Sequence, residues 1–119
     1  ADQYLYVDMN QDKDVWLEKV DTTKRVSDYM IGMKLKNVRK VSLSVPKGMR
    51  VQELPAPFAS HTHWADLSCT FSKQGNRVVM KKEYVIKNRR VALKDILEWN
   101  KLVSEWNDAC NEQVVLQTK

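Results

Sequence analysis

Apolar and polar residues alternate with a period of two along most of this chain, and the period changes only near its end. Alternation of that kind marks half-buried strands, because successive side chains on a strand point to opposite faces. Tyr4 to Met9 reads as a short strand, and Asn10 to Asp14 as a polar turn after it. Val15 to Val20 is a second candidate, with Trp16 on one face, followed by the polar connector Asp21 to Arg25. From Tyr29 to Leu35, Tyr29, Ile31, Met33 and Leu35 point one way while Gly32 and Lys34 point the other. Val41, Leu43 and Val45 alternate with Lys40, Ser42 and Ser44, and Pro46-Lys47-Gly48 ends that run. Met49 to Leu54 is a further short alternating segment. Pro55-Ala56-Pro57 then supplies two residues that cannot donate to a ladder, so residues 55–63 are expected to form a loop or crossover.

The clearest strand has Ala65, Leu67, Cys69 and Phe71 on one face and Asp66, Ser68, Thr70 and Ser72 on the other. Lys73-Gln74-Gly75-Asn76 predicts a turn, and Val78 to Ile86 returns with Val78, Met80, Tyr84 and Ile86 on one face, which together make a β-hairpin. Beyond it the apolar spacing becomes three and four. Ile96, Trp99, Val103, Trp106 and Cys110 form a stripe widened by Leu102 and Ala109, with Lys101, Glu105, Asp108 and Glu112 off it. This predicts an amphipathic helix near residues 93–112. Asp95 in its first turn suits the helix dipole, but no residue at the start offers a good N-cap side chain. A short final strand is expected at 114–117. The predicted fold is therefore mostly β with one C-terminal helix: a two-sheet, immunoglobulin-like β-sandwich of about seven strands, with the helix packed on one sheet or over one open end.

A length of 119 residues fits a single domain, here 1–119. An apolar fraction of 43% and a charged fraction of 29% place the chain among folded proteins rather than disordered ones. No apolar run approaches the roughly 18 residues that a membrane helix needs, and no signal peptide opens the chain. A start at Ala1 without Met reads as a fragment or a mature chain. The net charge of +5 is unevenly spread. Residues 1–28 hold seven acids and four bases (−3), residues 73–94 eight bases and Glu83 alone (+7), and residues 95–112 five acids and Lys101 (−4). A basic strand followed by an acidic helix would cancel much of each field if the two packed side by side.

The residues that could carry chemistry each lack something. Asp8-x-Asn10-x-Asp12-x-Asp14 has the opening of a calcium loop, but the sixth position is Lys13 instead of Gly and the twelfth is Lys19 instead of an acid. A solvated acidic turn is the expected reading. His61 and His63 are the weak metal candidates. Two imidazoles two residues apart on a strand can share an ion, but Asp66 is the only nearby acid, so surface histidines and no bound metal are expected. Cys69 faces the expected core, and Cys110 lies near a helix C-terminus, where the dipole disfavours a thiolate. Two buried free thiols are favoured over a disulfide, which the sequence leaves open. No Ser-centred elbow, phosphate loop or H-E-x-x-H motif occurs, so no catalytic residue and no cofactor is expected.

The basic residues Lys81, Lys82, Lys87, Arg89, Arg90 and Lys94 could serve an acidic polymer or a nucleic acid. Tyr84 is the only aromatic among them, so a solvated strand face is favoured over nucleic-acid binding. Trp99 and Trp106 share the helix's apolar stripe. Core packing is the favoured reading and a partner-binding groove the alternative; Lys87, Arg89 and Arg90 of the basic stretch are the other partner-facing candidates.

The order of pieces from about residue 40 resembles a known family. It runs Val-Ser-Leu-Ser-Val-Pro-Lys-Gly-Met-Arg-Val-Gln-Glu-Leu-Pro at 41–55, then the hairpin from Cys69 through Lys87, the link Asn88-Arg-Arg-Val, the helix containing Asp95 to Trp106, and Gln113-Val-Val-Leu-Gln. This resembles the C-terminal β-sandwich of Gram-negative bacterial transglutaminase-like proteins, over about 75 of the 119 residues; residues 1–40 match it poorly. The resemblance implies an exported, periplasmic protein whose Cys-His-Asp machinery lies in another domain. It brings no catalytic residue to this chain. It implies an accessory domain of unknown function whose partners are the other domains of its own parent chain. A stand-alone binding module acting through residues 73–94, and an enzyme acting through His61, His63 or Cys69, are the rival expectations.

Overall fold

The computed structural model describes residues 3–11, 19, 27–31 and 36–119. The expected strand at 15–20 and positions 32–35 of the Tyr29 strand lie outside these, apart from residue 19. Nine strands, a single turn of 3-10 helix and one α-helix are seen among the described residues: β1 (Tyr4–Val7), β2 (Tyr29–Met30), β3 (Lys36–Ser44), β4 (Met49–Glu53), β5 (Phe58–His61), β6 (Ala65–Gln74), β7 (Arg77–Ile86), β8 (Arg90–Val91), the 3-10 turn Leu93–Asp95, α1 (Ile96–Cys110) and β9 (Val114–Thr118). They form a four-stranded sheet in the order β3-β7-β6-β5, a three-stranded sheet in the order β1-β9-β4 and the small ladder β2-β8, with every pairing antiparallel. The architecture is mostly β, consistent with a β-sandwich, with one C-terminal helix and a short final strand.

The hairpin predicted around residue 75 is the spine of the larger sheet. β6 and β7 pair from Ala65↔Ile86 to Gln74↔Arg77. Their loop is only Gly75-Asn76, and Gly75 takes φ +63°, the left-handed region that tight hairpin turns require and that glycine enters without a Cβ penalty. Ala65, Leu67, Cys69, Val78, Met80, Tyr84 and Ile86 are all buried on the inner face. The helical stripe meets them there. Ile96, Trp99, Leu102, Val103, Trp106 and Cys110 are buried and share one core with that face and with Val114 and Leu116 of β9. Two ring contacts fix the helix against the β5–β6 end: Trp106 lies edge-on to Phe58 at 6.1 Å, and Trp99 edge-on to Trp64 at 5.9 Å.

Several expectations change. Residues 55–63 are not all loop, because β5 forms at Phe58, directly after the second proline, and pairs with β6 on its one available side. The strand count exceeds seven because β5 forms where a loop was expected and β8 is a two-residue element too short to show any period, while β2 falls at the start of the strand expected from Tyr29. Lys82, read as part of a solvated basic face, is 3% exposed. It occupies the inward position between Met80 and Tyr84, where its ammonium donates to Asn10 Oδ1 at 2.7 Å, and Asn10 Nδ2 donates in turn to Asn111 Oδ1 at 2.9 Å. This buried polar relay ties β7, the segment after β1 and the end of the helix together.

The start of the helix explains its missing cap. No side chain of Ala92 or Asp95 caps it. Instead Asp28, 65 residues upstream, accepts the Leu93 N–H at 2.9 Å through Oδ1. Its Oδ2 pairs with the Arg90 guanidinium. A distant carboxylate thus does the work of a local cap and pins β8 to the 3-10 turn.

Candidate functional site

A cluster of chemically active side chains sits where β5 turns into β6. Thr62 fastens that turn: its Oγ1 accepts from the N–H of Ala65 at 3.1 Å and of Trp64 at 3.3 Å, and donates to the Ala65 carbonyl at 3.1 Å. The antiparallel register then sets His61 opposite Asp66 on the outer face, with Nδ1 at 3.0 Å from Oδ1. Lys87 follows the end of β7. Its N–H donates to the Trp64 carbonyl at 2.7 Å, and its Nζ lies 3.1 Å from the same Asp66 oxygen. These contacts hold the Asp66 carboxyl below its ordinary range, the His61 hydrogen bond contributing most and Lys87 next. A shallow depression of about 250 Å³ opens beside the cluster, lined also by Ser68 and Glu83.

A serine, a histidine and an aspartate in one depression invite comparison with a nucleophilic triad. The geometry falls short of one. Ser68 makes no hydrogen bond to His61 among the described residues, Lys87 competes for the carboxylate oxygen that would orient the imidazole, and the His61 side chain is 75% exposed. The arrangement is suited to fixing a turn and presenting a polar surface. His63 does not join it. The strand ends at His61, and the His63 ring lies tilted against Trp64 with centroids 4.2 Å apart. No group of three or more His, Cys, Asp or Glu able to hold a metal ion occurs among the described residues.

The acidic turn also departs from a calcium loop. Asp8 Oδ1 accepts the Asn10 N–H at 2.8 Å, and Asn10 turns inward to the Lys82 ammonium, so an oxygen that a cation would need already faces a positive charge. Asp12 and Asp14 lie outside the described residues. Cys69 and Cys110 are free thiols, 1% and 0% exposed.

The partner-facing reading of Trp99 and Trp106 is corrected: both are fully buried, because the stripe they share with Ile96 and Val103 is the one the sheet covers. The basic stretch does not form one patch either. Lys81 pairs with Glu83 at 3.6 Å, Lys82 is buried, Lys87 pairs with Asp66, and Arg90 pairs with Asp28. These last two cations are thus met by Asp66 of β6 and by Asp28, not by the acidic helix. Asp28, Asn10 and Lys82 were missed as structural residues. Position 82 carried a signal, since it falls in step with Met80 and Tyr84; the 65-residue reach of Asp28 left none.

An antiparallel β-sandwich with a covering helix, buried thiols and a surface His–Asp–Lys cluster is the class of protein that this geometry defines. A family model matches residues 3–116, and the chain belongs to that family, DUF3858, a domain of unknown function for which a structure has been solved. No curated protein matches the chain. Among solved structures, that of a putative protease from Parabacteroides distasonis superposes with a TM-score of 0.73 at 12% identity, covering 96% of this chain and 23% of that one. At that identity the likeness is one of fold. The chain spans about a quarter of the length of the protein it matches.

Proposed function

We propose that this chain is a non-catalytic accessory domain of a longer, exported transglutaminase-like protein, in which it packs against and positions a neighbouring domain. The observation that carries this reading is the coverage: nearly all of this chain corresponds to 23% of a much longer polypeptide. The chemistry supports it. Both thiols are sealed in the core, where no substrate reaches them, and among the described residues no serine, threonine or cysteine is hydrogen-bonded to the surface His–Asp pair. The surface supports it as well. On β1, Tyr4, Leu5 and Tyr6 are 50%, 44% and 58% exposed, three large side chains in a row at the edge of the smaller sheet, the kind of surface a neighbouring domain covers.

The transglutaminase link and the periplasmic location rest on the residue resemblance at 41–117. The test is to read the parent gene and express its remaining portion separately. Mixing that portion with this chain should give a complex in sedimentation, weakened when Tyr4 and Tyr6 are changed to Ser. A parent gene with no further domain, or two parts that stay separate, would sink the proposal.

A further inference from the structure

At the opposite end of the β6–β7 hairpin, about 30 Å from the His61 cluster at ~3.3 Å per strand residue, lies a second and larger feature. The β3–β4 turn, the tip of the hairpin and Lys119 after β9 enclose an open cleft of about 530 Å³. Three separate parts of the chain bring cations to it: Lys47 and Arg50 from the first, Lys73 from the second, and Lys119 itself. No Asp or Glu side chain lines the cleft, and among the described residues none of the four cations is ion-paired. This sets them apart from Lys87 and Arg90, whose charges are already met by carboxylates.

The cleft is also organised. Backbone bonds from Val45 N–H to the Asn76 carbonyl at 2.8 Å and from Lys119 N–H to the Gly48 carbonyl at 2.8 Å tie its three walls to one another. Arg50 is held through Nη2 by Gln117 Oε1 at 2.9 Å, and Gln117 is itself 6% exposed and donates to the Tyr4 hydroxyl at 3.4 Å. One of the four cations is therefore oriented before any ligand arrives. Val45, Met49 and Val51 add half-buried apolar surface between the charges.

We propose that this cleft binds an acidic, extended peptide segment that carries apolar side chains between its carboxylates. Like charges gathered around a concave surface focus a positive potential into it, and an anion there relieves their mutual repulsion. The apolar patches between the charges favour a peptide over a bare anion. The lining holds no aromatic side chain on which a nucleobase could stack, which argues against a single-stranded nucleic acid.

The test uses the 119-residue chain and a short dye-labelled peptide alternating Glu with Val, read by fluorescence anisotropy and by backbone-amide NMR shifts. The comparison probes are the same peptide with Lys in place of Glu, inorganic phosphate, and a single-stranded oligonucleotide. The expected result is saturable binding of the Glu peptide that weakens as salt rises and shifts amides within 45–51 and 73–76. The double variant Lys47→Glu/Lys73→Glu should lose about tenfold in affinity, as removal of two exposed charge pairs implies. Lys36→Glu/Lys40→Glu on the outer face of β3 should bind as the parent does, and unchanged melting curves for both variants separate lost binding from lost folding. Three results would each overturn the proposal: no saturable binding of the Glu peptide, binding that survives the double reversal, or phosphate or the oligonucleotide shifting the same amides at equal affinity.

Discussion

Replacing Asp28 with Ala should loosen the start of the helix even though Asp28 lies 65 residues away from it. In the folded chain its carboxylate accepts the Leu93 N–H and pairs with Arg90. The capping bond is the larger contribution, since losing an N-cap acceptor costs about 0.5–2 kcal/mol. The Arg90 pair is worth less than about 1 kcal/mol, because the Arg90 side chain is 70% exposed and water screens it. The sum is about 1–2 kcal/mol, or roughly 4–8 °C in Tm for a domain of this size. Asp28→Asn separates the two contributions: it keeps an acceptor oxygen for Leu93 and gives up the charge, so it should recover most of the loss. Arg90→Ala should cost less than Asp28→Ala. Thermal unfolding followed by far-ultraviolet circular dichroism measures all three, and hydrogen exchange at Leu93 reports the cap directly. An Asp28→Ala protein that melts with the parent, or an Asn variant as unstable as the Ala variant, would refute the capping argument.

Trp106→Ala should cost about 3–5 kcal/mol, since it empties a fully buried site and removes the edge-on contact with Phe58; urea unfolding would show the midpoint fall. Lys82→Ala should cost about 2 kcal/mol or more, because it leaves Asn10 Oδ1 buried without the ammonium it accepts from, and the same unfolding assay reads it. The Asp66 carboxyl should titrate below its ordinary value of 3.8 in carbon-detected NMR, and His61→Ala should move it back further than Lys87→Ala does. Because its folded value is lowered, the contribution of Asp66 to stability is present above the ordinary carboxylate range and fades as pH falls through the lowered value.

What the residues made legible follows from where the physics is local. The β6–β7 hairpin was readable because Ala65 to Phe71 alternates cleanly and Val78, Met80, Tyr84 and Ile86 return in step beyond a glycine turn. The helix was readable because its buried stripe keeps to three and four residues over four turns. β5 was hidden by the prolines before it and by its length of four residues. β2 falls at the start of the alternation read from Tyr29, but its partner β8 has only two residues, which carry no period. At the His61 cluster, the residues could be named in advance, but not that Lys87 would share the carboxylate of Asp66. Charge along the chain misled most. The run at 73–94 looked continuous, yet strand alternation sends Lys82 inward, and of the cations in that run only Lys73 lines the cleft, beside Lys47, Arg50 and Lys119.

We propose that this domain does not itself catalyse. Glutaminyl transfer and peptide hydrolysis, measured on this chain alone, on the remaining portion of its parent and on the two together, test it most directly. The expected result is no turnover by the chain alone, activity in the remaining portion, and a changed rate or a longer-lived activity in the mixture. Turnover by the chain alone that disappears in His61→Ala or Cys69→Ser would contradict it.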